Sequence, residues 1–194
     1  KYVYDRDYSL AKKSENKFKT KSINDYKIAL KDNSIKVIFI ASSTPTHINF
    51  IREAALYKKT IFCEKPLDLD LNKIISCKKF IQKFSPRIQI GFNRRYDPGH
   101  YYLKKSIDQK KIGQLQKIII TCRDPAPPPL AYLKTAGGIF KDMIIHDFDL
   151  IRFYLKNDPI REVFATTSDL SEYAKLFNKV KDFELATVVL KSKK

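Results

Sequence analysis

A chain of 194 residues, 43% hydrophobic and 30% charged, has the make-up of an ordinary globular protein, with room for one large domain or two small ones. No apolar run approaches the ~20 residues that a membrane-spanning helix needs. The three cysteines, Cys63, Cys77 and Cys122, fall in no Cys-x-x-Cys or Cys/His cluster, which argues against a disulfide framework or a zinc site and for a reducing, cytoplasmic setting. A net charge of +17 raises nucleic-acid binding as a reading, but the lysines are spread along the chain, Trp is absent, and no basic–aromatic repeat occurs. Neither a nucleic-acid nor a membrane partner is therefore expected, and no metal.

The first half reads as strands alternating with helices. Residues 1–5 form a short alternating run that ends in Asp5, and helical spacing follows over 8–18 and 23–30, with Ser22 a candidate N-cap for the second helix. Residues 36–41 are a continuous β-branched and aromatic run, as suits a parallel strand covered on both faces. A polar loop over 42–46 contains Pro45; a helix over 47–57, a strand over 60–63, a helix over 71–84 and a strand over 88–92 follow. Such alternation predicts βαβ units, a parallel sheet and helices on both faces. Ligands of such sheets bind beyond the carboxyl ends of the strands. Asp5, the 42–46 loop, Glu64-Lys65 and Asn93-Arg94 all fall at those ends.

The character changes after Tyr96-Asp97-Pro98. A helix over 101–107, a turn over 111–113, a strand over 115–121, a proline-rich loop, a long helix over 139–155 and strands over 161–167 and 185–190 predict an α+β arrangement with an open, mainly antiparallel sheet. The lack of an initiator Met and a last strand without a following partner predict truncation at both ends.

Two segments place ionisable groups where local structure would not put them by default. Glu64-Lys65-Pro66 follows directly on an apolar strand, and Pro66 restricts the backbone of Lys65. The ammonium there either belongs to a surface turn or donates to a substrate hydroxyl and favours a developing alkoxide. Asp142 and His146 lie four residues apart in a nearly all-apolar segment, so one helix face is expected to carry both. They form either a core staple or a base with its orienting acid, and Gly137-Gly138 ahead of them permits close backbone approach by a ligand. Asp5 is either a turn acid or an acceptor for ribose hydroxyls. Ser43-Thr44-Pro45-Thr46-His47 opens a helix whose N-terminus suits phosphate or ribose, with capping by Thr44 or Thr46 as the alternative. No G-x-G-x-x-G occurs.

In order and spacing, Ser43-Thr44-Pro45-Thr46-His47, Cys63-Glu64-Lys65-Pro66-Leu67, Gly91-Phe92-Asn93-Arg94-Arg95-Tyr96-Asp97, Arg123-Asp124-Pro125 and Gly137-Gly138-Ile139-Phe140-Lys141-Asp142 through His146-Asp147-Phe148-Asp149 resemble the Gfo/Idh/MocA oxidoreductases, above all their inositol 2-dehydrogenase members. The resemblance runs from Asp5 to about Val189. It implies an α/β fold: a partial Rossmann-type dinucleotide-binding domain over 1–95, lacking its first strand and glycine-rich turn, then a partial α+β substrate and oligomerisation domain over 96–194. It implies NAD as cofactor and a ring hydroxyl of a cyclic polyol as the hydride source. Lys65, Asp142 and His146 fall on catalytic positions, and Asp124 on a substrate-contacting one. Asp5, Ser43, Thr44, Pro45, His47, Glu64, Lys65, Asn93 and Arg94 fall on cofactor-side positions. A homotetramer is implied for the complete protein. Dehydrogenation of another sugar or polyol, or a non-catalytic nucleotide-binding fragment, are the alternative readings.

Overall fold

The computed structural model describes residues 1–193; Lys194, the last residue of the expected second domain, lies outside them. The chain separates into two units, Lys1–Gly91 and Phe92–Lys194, where the sequence places the change at 95/96.

In the first unit the order is β1 (Tyr2–Tyr4), α1 (Tyr8–Phe18), β2 (Lys21–Ile23), α2 (Lys27–Lys31), β3 (Val37–Ile40), α3 (Thr44–Leu56), β4 (Thr60–Cys63), α4 (Leu71–Ile81) and β5 (Ile88–Ile90). Every strand pair is parallel, as alternation with helices requires. The strands form two ladders, β1–β2 and β3–β4–β5, and β1 does not pair with β3. Asp5 therefore ends a different ladder from the loops after β3 and β4. Ser22 caps nothing: it sits buried in β2, where its hydroxyl donates to Glu15 at 2.6 Å. A three-residue strand is too short for periodicity to reveal, which is why the sequence reading runs past it.

The core lies between the β3–β4–β5 ladder and the helices. Helix α3 turns Ile48, Ile51 and Ala55 inward at helical spacing, against Ile40, Ile61, Cys63 and Cys77. Ile51 and Ile61 are each 1% exposed, and full burial of such a side chain is worth roughly 1.5–3 kcal/mol. Lys59, one lysine among many in the sequence, is 6% exposed and donates to the carbonyls of Asp32 and Ile35 at 2.8 and 2.9 Å. Its ammonium satisfies a turn that would otherwise bury two acceptors.

The second unit holds a 3-10 turn (Asn93–Tyr96), α5 (Pro98–Asp108), α6 (Leu130–Ala136), α7 (Ile139–Asp142), α8 (Ile145–Leu155), β6 (Ile160–Ser168), α9 (Ala174–Asn178) and β7 (Leu185–Ser192). Asp97 starts α5 by accepting from the N–H groups of Gly99 and His100, with Pro98 at the first position. Strands β6 and β7 pair antiparallel with a register shift between Ile160 and Glu162. Residues 115–121, expected as a strand, find no ladder partner among the described residues and form none. Alternating side chains make a strand only where another backbone takes up the N–H and C=O groups.

The long helix expected over 139–155 is two helices. The N–H of Ile144 reaches back to Ile139 O at 2.9 Å, five residues away, and the N–H groups of His146 and Asp147 bond three residues back. Met143 and Ile144 thus form the joint. A run of apolar residues carries no sign of such a change in hydrogen-bond register.

The joint turns acids, not only apolar groups, inward. Asp147 and Asp149 of α8 are 8% and 9% exposed. Arg94 donates to Asp147 at 2.5 Å, and Arg95 grips Asp149 through Nε and Nη2 at 2.6 and 2.5 Å. The bidentate bond to Asp149 raises the Arg95 guanidinium further above its usual value. Asp149→Ala leaves a partly covered guanidinium without its partner. Because the Arg95 side chain remains 37% accessible to water, a loss of about 2 kcal/mol is expected rather than the full cost of a buried orphan charge. Urea unfolding of the complete protein measures it.

Candidate active site

Lys65 lies in the first unit. The ladder carries one residue beyond β4 on both sides: Glu64 N–H donates to Ile40 O at 2.9 Å, and Gly91 N–H donates to Cys63 O at 2.8 Å. Glu64 lies against Gly91, where an added Cβ would come within 2.8 Å of Oε2. A glycine is required there for the carboxylate to occupy its place. Lys65 follows, half-buried, its N–H directed at Glu64 Oε2 at 3.3 Å, and the Lys65–Pro66 peptide is cis. Cys63 beside it takes no part in chemistry: burial, and then the charge of Glu64, push its thiol up to about 12, so it stays protonated.

The loop after β3 is shorter than expected, since α3 begins at Thr44 and not at 47. Ser43 is its N-cap, with Pro45 in the first turn, and no side chain caps it; neither Thr44 nor Thr46 does so. Thr46 instead donates to Ser43 O at 2.7 Å and shares a 2.6 Å bond with Ser42. Ser42, Ser43 and Pro45 are exposed. His47 is 1% exposed, with both ring nitrogens at backbone carbonyls. Asp5 is exposed beyond β1 and accepts from Asp7 N–H at 2.8 Å.

Asp142 and His146 lie in the second unit, but not on one helix: Asp142 ends α7 and His146 is the second residue of α8. Both are half-buried, and the His146 ring meets Phe92 edge-on at 6.3 Å. Gly137 and Gly138 lead into α7. Both have positive φ, 89° and 83°, and an added Cβ on Gly138 would come within 2.8 Å of the Asp182 carboxylate, which accepts from Ile139 N–H and so caps α7.

Tyr132 of α6 is a neighbour of Asp142 that sequence reasoning missed. Its hydroxyl meets both carboxylate oxygens of Asp142, at 2.8 and 2.9 Å. Partial burial first, then that hydrogen bond and the charges of Asp142 and Asp124, push the Tyr132 hydroxyl up to about 12. It stays a donor across the physiological range and is directed at the Asp142 carboxylate. Asp124, itself exposed, is near enough for its charge to be felt at Tyr132. The short helix α6 follows a run of prolines, and that run hides its periodicity. Tyr132→Phe is expected to lower turnover about tenfold, the worth of one charge-assisted hydrogen bond. Steady-state kinetics checks it, alongside a melting temperature that shifts by only a few degrees.

Asn93 and Arg94 sit on the 3-10 turn and, with Tyr96, Asp97 and His100, line a cleft of about 460 Å³. The guanidinium of Arg94 is committed to Asp147 and to Cys122 Sγ at 3.2 Å. Among the described residues no group of three or more His, Cys, Asp or Glu is placed to hold a metal ion, and no helix is long and apolar enough to cross a membrane.

Residues 1–92 match the oxidoreductase family with an NAD-binding Rossmann fold, and residues 100–194 match the GFO/IDH/MocA C-terminal domain. The chain is 40% identical over 158 residues to inositol 2-dehydrogenase of Rhizobium meliloti (strain 1021), covering 81% of this chain and 47% of that protein. It is 39% identical over 173 residues to myo-inositol 2-dehydrogenase of Thermotoga maritima, covering 89% and 51%. The solved structure of a myo-inositol dehydrogenase from Corynebacterium glutamicum superposes with a TM-score of 0.92 at 31% identity, over 99% of this chain and 56% of that one. The chain thus spans about half the length of the curated relatives it matches. With a parallel α/β unit, an α+β unit carrying antiparallel strands, and a match to each half of one architecture, the chain belongs to the Gfo/Idh/MocA oxidoreductase family.

Proposed function

We propose that the complete protein is an NAD-dependent dehydrogenase that oxidises a ring hydroxyl of a cyclic polyol of the myo-inositol kind to a ketone. The observation that carries this reading is the Tyr132–Asp142 pair at the joint before His146. A carboxylate that accepts from a hydroxyl, one joint away from a half-buried histidine, is more than a core staple needs.

The residues of the first unit fit a dinucleotide. Helix α3 starts at a strand's carboxyl end with no side-chain cap, which leaves its N-terminus suited to an anionic group. Exposed Ser42 and Ser43 add hydroxyls, and exposed Asp5 offers a carboxylate for ribose, a preference for NAD over its phosphorylated form. Thr44, Pro45, Glu64, Asn93 and Arg94 are proposed cofactor-side positions. When bound, NAD supplies the hydride acceptor.

The chain's own side chains handle the proton. Lys65 donates a hydrogen bond to the reacting hydroxyl and stabilises negative charge as it develops on that oxygen. His146 accepts the hydroxyl proton, and Asp142, hydrogen-bonded by Tyr132, favours the base-competent orientation. Asp124 accepts from a second ring hydroxyl. The exposed apolar residues Val163, Phe164 and Val189 on the β6–β7 ribbon support assembly of copies through that ribbon. The test is NAD reduction by the complete protein with myo-inositol, scyllo-inositol and glucose in parallel. Turnover with an inositol well above that with glucose is expected, and glucose as the clearly better substrate would replace the inositol reading.

A further inference from the structure

His47 is the most enclosed polar side chain of the first unit, 1% exposed, on the same helix α3 as buried Ile48 and Ile51. A ring so enclosed has no surface to offer a cofactor. Its two nitrogens are nevertheless both used. Nδ1 lies 2.8 Å from Pro66 O and Nε2 lies 2.8 Å from Ser42 O. Carbonyl oxygens only accept, so the ring acts as donor; a neutral imidazole donates to one of them at a time, and the doubly protonated ring to both.

The two carbonyls belong to the two strand-end loops that carry the proposed site. Ser42 directly precedes the N-cap of α3, and Pro66 directly follows Lys65. The backbone of Lys65 is thereby bracketed. On one side Glu64 N–H is held by Ile40 O at 2.9 Å, the last rung of the β3–β4 ladder. On the other, Pro66 has no N–H to give, and its carbonyl is held by His47 at 2.8 Å. Without that bond the ladder fixes the chain only as far as Glu64. A displacement of about 1 Å at a reacting group can cost ~10²-fold in rate.

We propose that His47 is a positioning residue for Lys65, holding the Lys65–Pro66 turn to the loop after β3 from within the core and touching neither cofactor nor substrate. The proposal rests on the reading of Lys65 as a catalytic residue.

The test is a double-mutant cycle in the complete protein. His47→Leu and His47→Met each remove the donor and keep a side chain of similar volume, and each is paired with Lys65→Ala. With Lys65 present, either His47 variant is expected to lower kcat about tenfold or more, with NAD affinity and polyol KM within about twofold and a cooperative thermal transition retained. In the Lys65→Ala background the same substitution is expected to lower kcat by less than about twofold, because the group it positions is gone. Equal losses in both backgrounds would overturn the proposal, as general damage to the fold would produce them. So would a loss of NAD affinity larger than the loss of kcat, which would make His47 a cofactor-side residue. A Lys65→Ala enzyme with near-normal turnover would be a different result, removing the catalytic reading of Lys65 itself.

Discussion

His146→Ala in the complete protein is expected to lower turnover by about 10²–10⁴-fold, the usual contribution of a positioned general base, while NAD affinity stays within about twofold. The asymmetry follows from placement. His146 opens α8 in the second unit, whereas the dinucleotide-fitting residues Asp5, Ser43 and Thr44 lie in the first. Near-normal turnover in the variant would remove the base assignment.

Lys65→Ala is the second large effect, expected at about 10²–10³-fold in kcat, the cost of removing one donor aimed at developing negative charge. Lys65→Arg is expected to restore little of it. The positive charge is kept, but a planar, branched guanidinium does not reproduce the reach of an ammonium on a flexible stem. The turn also leaves it little room to adjust, with Glu64 seated against Gly91 and Pro66 tied to His47. If Arg recovered most of the rate, Lys65 would be acting as a general positive charge and not as a placed donor.

Much of this was legible in the sequence where the signal was long or chemically unusual. Strands β3 and β4 were readable from their short apolar, β-branched runs, but β3 is not covered on both faces as expected, since Val37 and Phe39 stay 57% and 64% exposed. Lys65 and His146 stood out because ionisable groups in apolar runs need a reason. The parts that escaped are those decided by a distant partner. Tyr132 reaches Asp142 from ten residues away, and Asp182 caps α7 from forty-three. Neither contact leaves a periodic trace. Asp147 and Asp149 were legible only as members of a motif, and their burial depends on Arg94 and Arg95, 53 and 54 residues away in sequence. Residues 115–121 show the converse, a strand pattern without the backbone partner that would realise it. His47 was legible as a candidate through its motif, but its enclosure was not, because its two partners, the carbonyls of Ser42 and Pro66, are set by loops five and nineteen residues away.

The central claim is direct hydride transfer from a polyol ring carbon to NAD. Its most direct test is incubation of the complete protein with NAD and myo-inositol deuterated on its ring carbons, followed by mass analysis of the reduced nucleotide. One deuterium in the reduced nicotinamide is expected, together with an equal amount of a cyclic ketone. Reduced nucleotide without deuterium, or no reduction with any inositol, would contradict it.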